Sequence, residues 1–298
     1  MTSLDLQPHS ITRRRVFGLG LGALIAARLA KADPVIAQES GGWTFLVMGL
    51  DTREENADQR SDVIMLSRVD EPAGVVRTLS IPRDLWVEIP GHGNHKINAA
   101  YQIGLGSSPD LDWSDAAALT VDTIAHNFRI EVDGVVLTDM NRFPAIIDAV
   151  GGVDVNNPYD LVDPSWPEVN FPAGMIHLDG AQALVYTRSR NIDGDGGRVM
   201  RQHLVLEALL RRLQEPGMLA RLPDLIESLQ RAVRTDIPLL VQAQLAAMLP
   251  GISSEDLAFT NIADQCWADY SEDGQWIYQA DWSTLPAYVR DWLAGVSG

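Results

Sequence analysis

The sequence predicts an α/β protein whose mixed sheet is covered by helices on both faces. Three observations predict it. Short apolar runs recur at 43–50, 63–69 and 75–81, unbroken as in strands buried on both sides. Stretches with helical spacing then alternate with further strand candidates, which suits a sheet sandwiched between helices. The connector Asp70-Glu71-Pro72-Ala73-Gly74 is a hairpin link, so the sheet is mixed and not wholly parallel.

The elements follow in order. After the three strands, 96–105 and 115–128 carry helical patterns, the second with Ser114 as its expected N-cap. Residues 132–138 read as a strand, and 142–150 as a helix stopped by Gly151-Gly152. Helices are expected at 179–187 and 199–213. The C-terminal third alternates helices (223–233, 238–248, 282–293) with short strands (257–262, 276–280). Four of the eight tryptophans fall between Trp267 and Trp292, and Trp282, Leu285, Val289 and Trp292 share helical spacing. That pattern favours core packing over a surface that stacks sugars or faces lipid.

Ahead of this lies a leader. Arg13-Arg14-Arg15 precedes the uncharged, mostly apolar run 16–27, and Ala30-Lys31-Ala32 supplies a small-x-small site. This is the layout of an export signal. The run is short for a span, which needs roughly 20 residues. Arg14-Arg15-Val16-Phe17 is twin-arginine-like. The expected organisation is therefore a signal or N-terminal anchor at 1–32, a short linker at 33–42, and one domain at 43–298. The working part would lie outside the cytoplasmic membrane.

Acids outnumber bases 40 to 23, for a net charge of −17. A broad basic face for nucleic acid is thereby excluded. The single cysteine, Cys266, excludes an internal disulfide and reads as a small apolar side chain.

Against that acidic background, 186–202 (YTRSRNIDGDGGRVMRQ) gathers Arg188, Arg190, Arg198 and Arg201. Arg188 and Arg190 would share one side of an extended segment, followed by a Gly/Asp loop at 191–197. A helix opening near Arg198 would put Arg198, Arg201 and Gln202 on one face, with Val205 and Leu209 farther along it. Arginines at a helix start oppose the macrodipole and need negative charge there. Asp193 and Asp195 supply it on one reading, a bound pyrophosphate on the other.

Two further clusters lie at strand ends. Asp51 closes the first strand and Asp62 opens the second. Converging, they would hold a hard cation such as Mg²⁺ (or Mn²⁺), with Arg60 beside them for an anion; a surface salt bridge is the plainer outcome. Arg83 follows Pro82 at the third strand's end, where α/β sheets usually present ligand groups. Lys96 is the sole lysine after residue 32, a compact charge suited to phosphate.

In order and spacing, Gly49-Leu50-Asp51-Thr52-Arg53, Arg60-Ser61-Asp62, Ser80-Ile81-Pro82-Arg83-Asp84, Lys96-Ile97-Asn98-Ala99-Ala100-Tyr101, Val150-Gly151-Gly152-Val153, Leu178-Asp179-Gly180, Arg188-Ser189-Arg190 and Arg198-Val199-Met200-Arg201-Gln202 resemble the LytR-CpsA-Psr family of cell-wall phosphotransferases. The resemblance covers 43–213, leaving a C-terminal extension from about 214. It implies a three-layer α/β/α sandwich and a polyprenyl-pyrophosphate-linked glycan as donor, met at the membrane surface. The glycan phosphate would pass to a peptidoglycan sugar hydroxyl. Asp51 and Asp62 match the Mg²⁺ ligands; Arg60, Arg83, Arg188, Arg190, Arg198 and Gln202 match the pyrophosphate and active-site set; Lys96 falls in a family motif. Asp51, Arg60, Asp62 and Arg83 are the expected catalytic residues. A pyrophosphate hydrolase and a non-catalytic binder of envelope lipids are the competing readings. The donor's tail requires an apolar groove that the sequence does not place. Gly196 stands where family members often carry an aromatic residue, and this leader stands where many carry a true membrane anchor.

Overall fold

The computed structural model describes residues 42–51, 59–106, 112–219 and 232–296. The leader, the linker up to residue 41, Thr52-Arg53 and nearly all of the helix expected at 223–233 lie outside them.

Six strands form the main sheet. In chain order they are β1 (Gly42–Asp51), β2 (Arg60–Asp70), β3 (Val75–Ser80), β6 (Gly134–Asp139), β11 (Val233–Thr235) and β12 (Leu257–Asn261). Across the sheet the order is β11-β6-β1-β2-β3-β12. β2 pairs antiparallel with both β1 and β3, while β6 on β1 and β12 on β3 are parallel. The sheet is mixed, as the hairpin at 70–74 requires.

Strand alternation decides what each face touches. Leu46, Met48 and Leu50 of β1 lie with Ile64, Leu66 and Leu79 in a core closed by helices α1 (Ala99–Leu105), α2 (Trp113–Phe128) and α7 (Leu285–Leu293). The intervening residues Val47, Gly49 and Asp51 point to the other face. There α5 (Gly194–Gln214) crosses, and α6 (Leu239–Met248) packs Val241 onto Phe45. A second core lies beneath α3 (Phe143–Ala149), α4 (Gly180–Arg188) and α5, against the hairpin of β7 (Val153–Asn157) and β10 (Gly174–Leu178). Gly151 and Gly152, at φ of +80° and +84°, make the turn that ends α3.

Several boundaries differ from expectation. Asp112, not Ser114, caps α2, in a capping box with Asp115; two carboxylates at the first turn suit the dipole better than one hydroxyl. Lys96 ends strand β5 (Gly93–Lys96) instead of opening a helix. β5 pairs with β4 (Trp86–Ile89) in a hairpin whose few residues give little periodic signal. The two-residue strands β8 (Leu161–Val162) and β9 (Asn170–Phe171) are missed for the same reason. Helix α5 begins at Gly194, so the Gly/Asp loop is partly helix and Arg198 sits in its second turn. Arg188 is the last residue of helix α4, not part of an extended pair with Arg190. Val233 opens a strand where a helix end was expected. Strand β14 (Trp276–Ala280) matches the sequence reading, and its partner β13 (Cys266–Tyr270) was missed.

Candidate active site

The faces of β1 and β2 that turn away from the α1/α2 core lie opposite α5. Between them lies a cavity of about 350 Å³, within the usual 300–1,000 Å³ range for ligand pockets. Its interior is apolar: Val47, Val63 and Met65 from the sheet, and Val205, Leu206 and Leu209 from α5. Asp62, Arg83, Arg188, Arg190, Arg198 and Gln202 also line it. An apolar pocket with charged groups at one end is suited to an amphiphile carrying an anionic head.

Local geometry places each polar group. The β1–β2 register shifts at Gly49/Leu50: Ser61 faces Leu50 and Val63 faces Gly49, leaving Asp62 as the extra residue. A bulge of this kind re-aims one side chain, and here Asp62 joins the cavity wall. Asp51 pairs across the strands with Arg60 at the same sheet end, and Arg60 Nε lies 3.4 Å from Gln102 Oε1. Arg83 leaves β3 through a turn in which Leu85 N–H donates to Pro82 O at 3.0 Å and Asn98 N–H to Arg83 O at 3.2 Å. Its Nη1 donates to Asp62 Oδ2 at 2.8 Å, and its Nε is 3.4 Å from Asp84 Oδ2. Burial opposes the Arg83 charge, but Asp62, Asp84 and Asp195 outweigh it and raise its pKa.

Arg198 is the most constrained cation facing the cavity. It is 7% exposed; Nη2 meets Asp195 Oδ1 at 2.8 Å, and Nε is buried without a hydrogen-bond partner. Burial, together with the nearby charges of Arg83 and Arg190, holds its pKa below the usual guanidinium value, despite Asp195 and Asp62. Like charges gathered around a buried, incompletely bonded guanidinium are stabilised by an added anion. Gln202 Nε2 donates to Thr187 O at 3.3 Å, and the Arg188 guanidinium stands over the Trp166 ring at 5.8 Å.

Of the charged groups selected from the sequence, Asp51, Arg60, Lys96 and Arg201 are not among the residues lining the cavity. Lys96 Nζ bonds Asp84 Oδ1 at 2.8 Å, so it supports Arg83 through a shared carboxylate and does not line the cavity. Arg201 is fully buried against the end of α4 and the segment after it; Nε donates to Tyr186 O at 2.9 Å, Nη2 to Ser189 O and Asp193 Oδ1, and Nη1 to Asp193 Oδ2. Of the four arginines in 186–202, three face the cavity and Arg201 braces the α4–α5 junction. Asp193 therefore answers Arg201, and Asp195 answers Arg198. Cys266 stays a protonated thiol, its pKa pushed up to about 11 by burial and Asp264.

The structure adds wall residues that the sequence did not mark, including Trp166, Asn191 and Asp139. Asp139 ends β6 opposite Leu50, and the strand-end rule could have found it. Its carboxylate is engaged by Asn141 N–H, Arg142 N–H and Arg142 Nε. No local pattern around Trp166 announces its role.

Among the described residues, no group of three His, Cys, Asp or Glu side chains could hold a metal by itself. Two hard carboxylates, Asp51 and Asp62, stand at one sheet end. That donor set fits a cation that takes its other ligands from water and phosphate, as Mg²⁺ commonly does.

Comparison with known proteins bears on this geometry. The sequence matches the LytR_cpsA_psr family across residues 22–289. The chain belongs to the LytR-CpsA-Psr family. Among its curated LytR-CpsA-Psr relatives is the polyisoprenyl-teichoic acid–peptidoglycan teichoic acid transferase TagU of Bacillus mycoides, 35% identical over 214 residues. That alignment covers 71% of this chain but 63% of the relative. TagU of Bacillus anthracis is 33% identical over 84% of this chain and 78% of its own length. B. subtilis TagV superposes with a TM-score of 0.72 at 28% identity, covering 87% of this chain and 98% of TagV. TagT bound to LIIa-WTA superposes at 0.70 with 22% identity, over 89% and 94%, which supports the LytR-CpsA-Psr fold alone. The three-layer sandwich is thus the shared architecture.

Proposed function

We propose that this protein transfers a glycan phosphate from a polyprenyl-pyrophosphate carrier to a peptidoglycan sugar hydroxyl, with Mg²⁺ as cofactor. The reaction takes place at the outer face of the cytoplasmic membrane, reached through the leader at 1–32. The carrying observation is the union of an arginine cluster, buried at Arg198, with an apolar cavity. The names of the TagU relatives support the same reaction class.

In this reading the first part of the polyprenyl tail enters between Val47, Met65, Val205 and Leu209. The diphosphate rests among Arg83, Arg188, Arg190, Arg198 and Gln202, with Arg60 at the sheet end beside them. Asp51 and Asp62 would hold Mg²⁺, which when bound neutralises charge on the phosphates. The acceptor hydroxyl oxygen attacks the glycan-side phosphorus. The bond from that phosphorus to the bridging oxygen breaks, polyprenyl phosphate departs, and the hydroxyl proton passes to a carboxylate of the site or to water. Phosphoryl transfer asks mainly for positioning and charge stabilisation. Arg198 and Arg83 supply both, because their positions are set before substrate arrives.

Purified protein incubated with polyprenyl-pyrophosphate glycan, Mg²⁺ and peptidoglycan tests the reading. Glycan joined to the wall is the expected product, and Arg83→Ala should abolish it while the protein stays folded. Free phosphorylated glycan would mean a hydrolase. No turnover of donor by the wild type would mean a binder.

A further inference from the structure

Beyond the cavity, the structure leaves an aromatic surface without a role. Tyr270 and Trp276 face each other across the β13–β14 hairpin, yet they are 68% and 41% exposed. The Trp276 ring meets Tyr278 edge-on at 4.8 Å. A cross-strand aromatic pair can serve the hairpin alone. Such a pair stabilises by covering its rings, however, and Tyr270 covers little of its own. Large exposed aromatics grouped in this way mark contact surfaces.

This surface is continuous with the site. Tyr278 N–H donates to Asp84 O at 3.0 Å, and Leu85 bridges Tyr278. Asp84 is the carboxylate shared by Lys96 and Arg83. The Tyr278 hydroxyl has its pKa raised by burial first and then by the charges of Asp195, Cys266 and Asp84. In the turn of the hairpin, Glu272 and Asp273 are exposed. Those acids disfavour an anionic polymer or an anionic membrane. Exposed rings and hydrogen-bond acceptors together suit a neutral sugar, whose C–H face packs on an aromatic ring while its hydroxyls donate.

We propose that Tyr270, Trp276 and Tyr278 form a stacking platform for the neutral sugar rings of the acceptor glycan, which they deliver to the arginine cluster. The assignment of these sugars as acceptor rests on the transferase reading above. The probe is an N-acetylglucosamine hexamer titrated into full-length protein and followed by tryptophan fluorescence. Wild type should saturate. Trp276→Ala and Tyr270→Ala should each bind about tenfold more weakly, a difference of about 1.4 kcal/mol. Trp267→Ala, on the opposite face of the hairpin, should bind as wild type does. In the transfer assay the same two variants should raise the KM for peptidoglycan and leave the KM for the donor unchanged. Tyr270 is mostly exposed, so its variant keeps the test open if Trp276→Ala does not fold. The proposal is overturned by non-saturating wild-type titrations, by unchanged binding in both variants, or by partition of the protein onto phosphatidylcholine vesicles through these rings. A concentration-dependent dimer lost in Trp276→Ala overturns it as well. If wild type turns over no donor yet binds the hexamer through these rings, the transferase reading fails and the sugar platform stands.

Discussion

Two arginines three residues apart on α5 should respond oppositely to the same substitution. Arg198→Met keeps side-chain length and removes the guanidinium. What the fold loses is one ion pair to Asp195, whose side chain is 32% exposed and returns to water. Such a loss costs at most about 1 kcal/mol, offset by removal of a buried charge beside Arg83 and Arg190. The melting temperature should therefore stay level or rise. Turnover should fall by about 10²–10³, the roughly 2.7–4 kcal/mol seen when one preorganised charge-stabilising donor is deleted. Arg201→Met reverses the pattern. It strands the carbonyls of Tyr186 and Ser189 and leaves the Asp193 carboxylate with only Tyr159 of its present side-chain partners. Breaking a buried pair from one side costs about 3–5 kcal/mol. The assay pairs urea unfolding with turnover per folded molecule, and adds a thermal-shift titration with inorganic pyrophosphate. Wild type should gain stability from that anion, and Arg198→Met should gain much less. An Arg198→Met protein that unfolds early while retaining full specific activity would refute the argument.

Further outcomes follow from the same geometry. On the proposed reading, Asp62→Asn removes a metal donor and the charge facing Arg83, so it should lower turnover at least about 10²-fold and weaken its dependence on added Mg²⁺; Mg²⁺ titration of the rate checks this. Leu206→Trp puts bulk into the 350 Å³ cavity and should slow long-chain polyprenyl donors more than a short-chain analogue, read as a ratio of kcat/KM values. His203, bonded to Ser80 Oγ at 2.7 Å and stacked on Phe259, has its pKa lowered by burial to about 4. Its unfolded form binds a proton near pH 6.5, so the native state carries fewer protons between those values. The stability it contributes is complete above about pH 6.5 and declines as pH falls toward 4, by on the order of 3 kcal/mol at most. Unfolding free energies measured from pH 7 to 4.5 should show that decline in wild type and a shallower one in His203→Phe.

Much of this protein is legible from residues alone, for reasons that are local. Strands β1 to β3 announce themselves because a strand buried on both faces must be apolar throughout, and Gly74 and Pro72 mark the hairpin between β2 and β3. Asp62, Arg83, Arg188, Arg190, Arg198 and Gln202 could be nominated because charge is out of place in such surroundings and their order along the chain resembles a family pattern. Tertiary structure decided the rest. Whether Arg198 or Arg201 faces the cavity depends on where α5 begins and which side α4 covers, a rotation that one helix's sequence cannot specify. The bulge that turns Asp62 inward arises from pairing between two strands. The cavity exists because the sheet and α5 stay apart along one stretch, and an empty volume has no residue of its own to declare it. Trp276 likewise looked like core by composition, and its exposure follows from its place beside the turn of a two-stranded hairpin, where the described residues leave it 41% exposed.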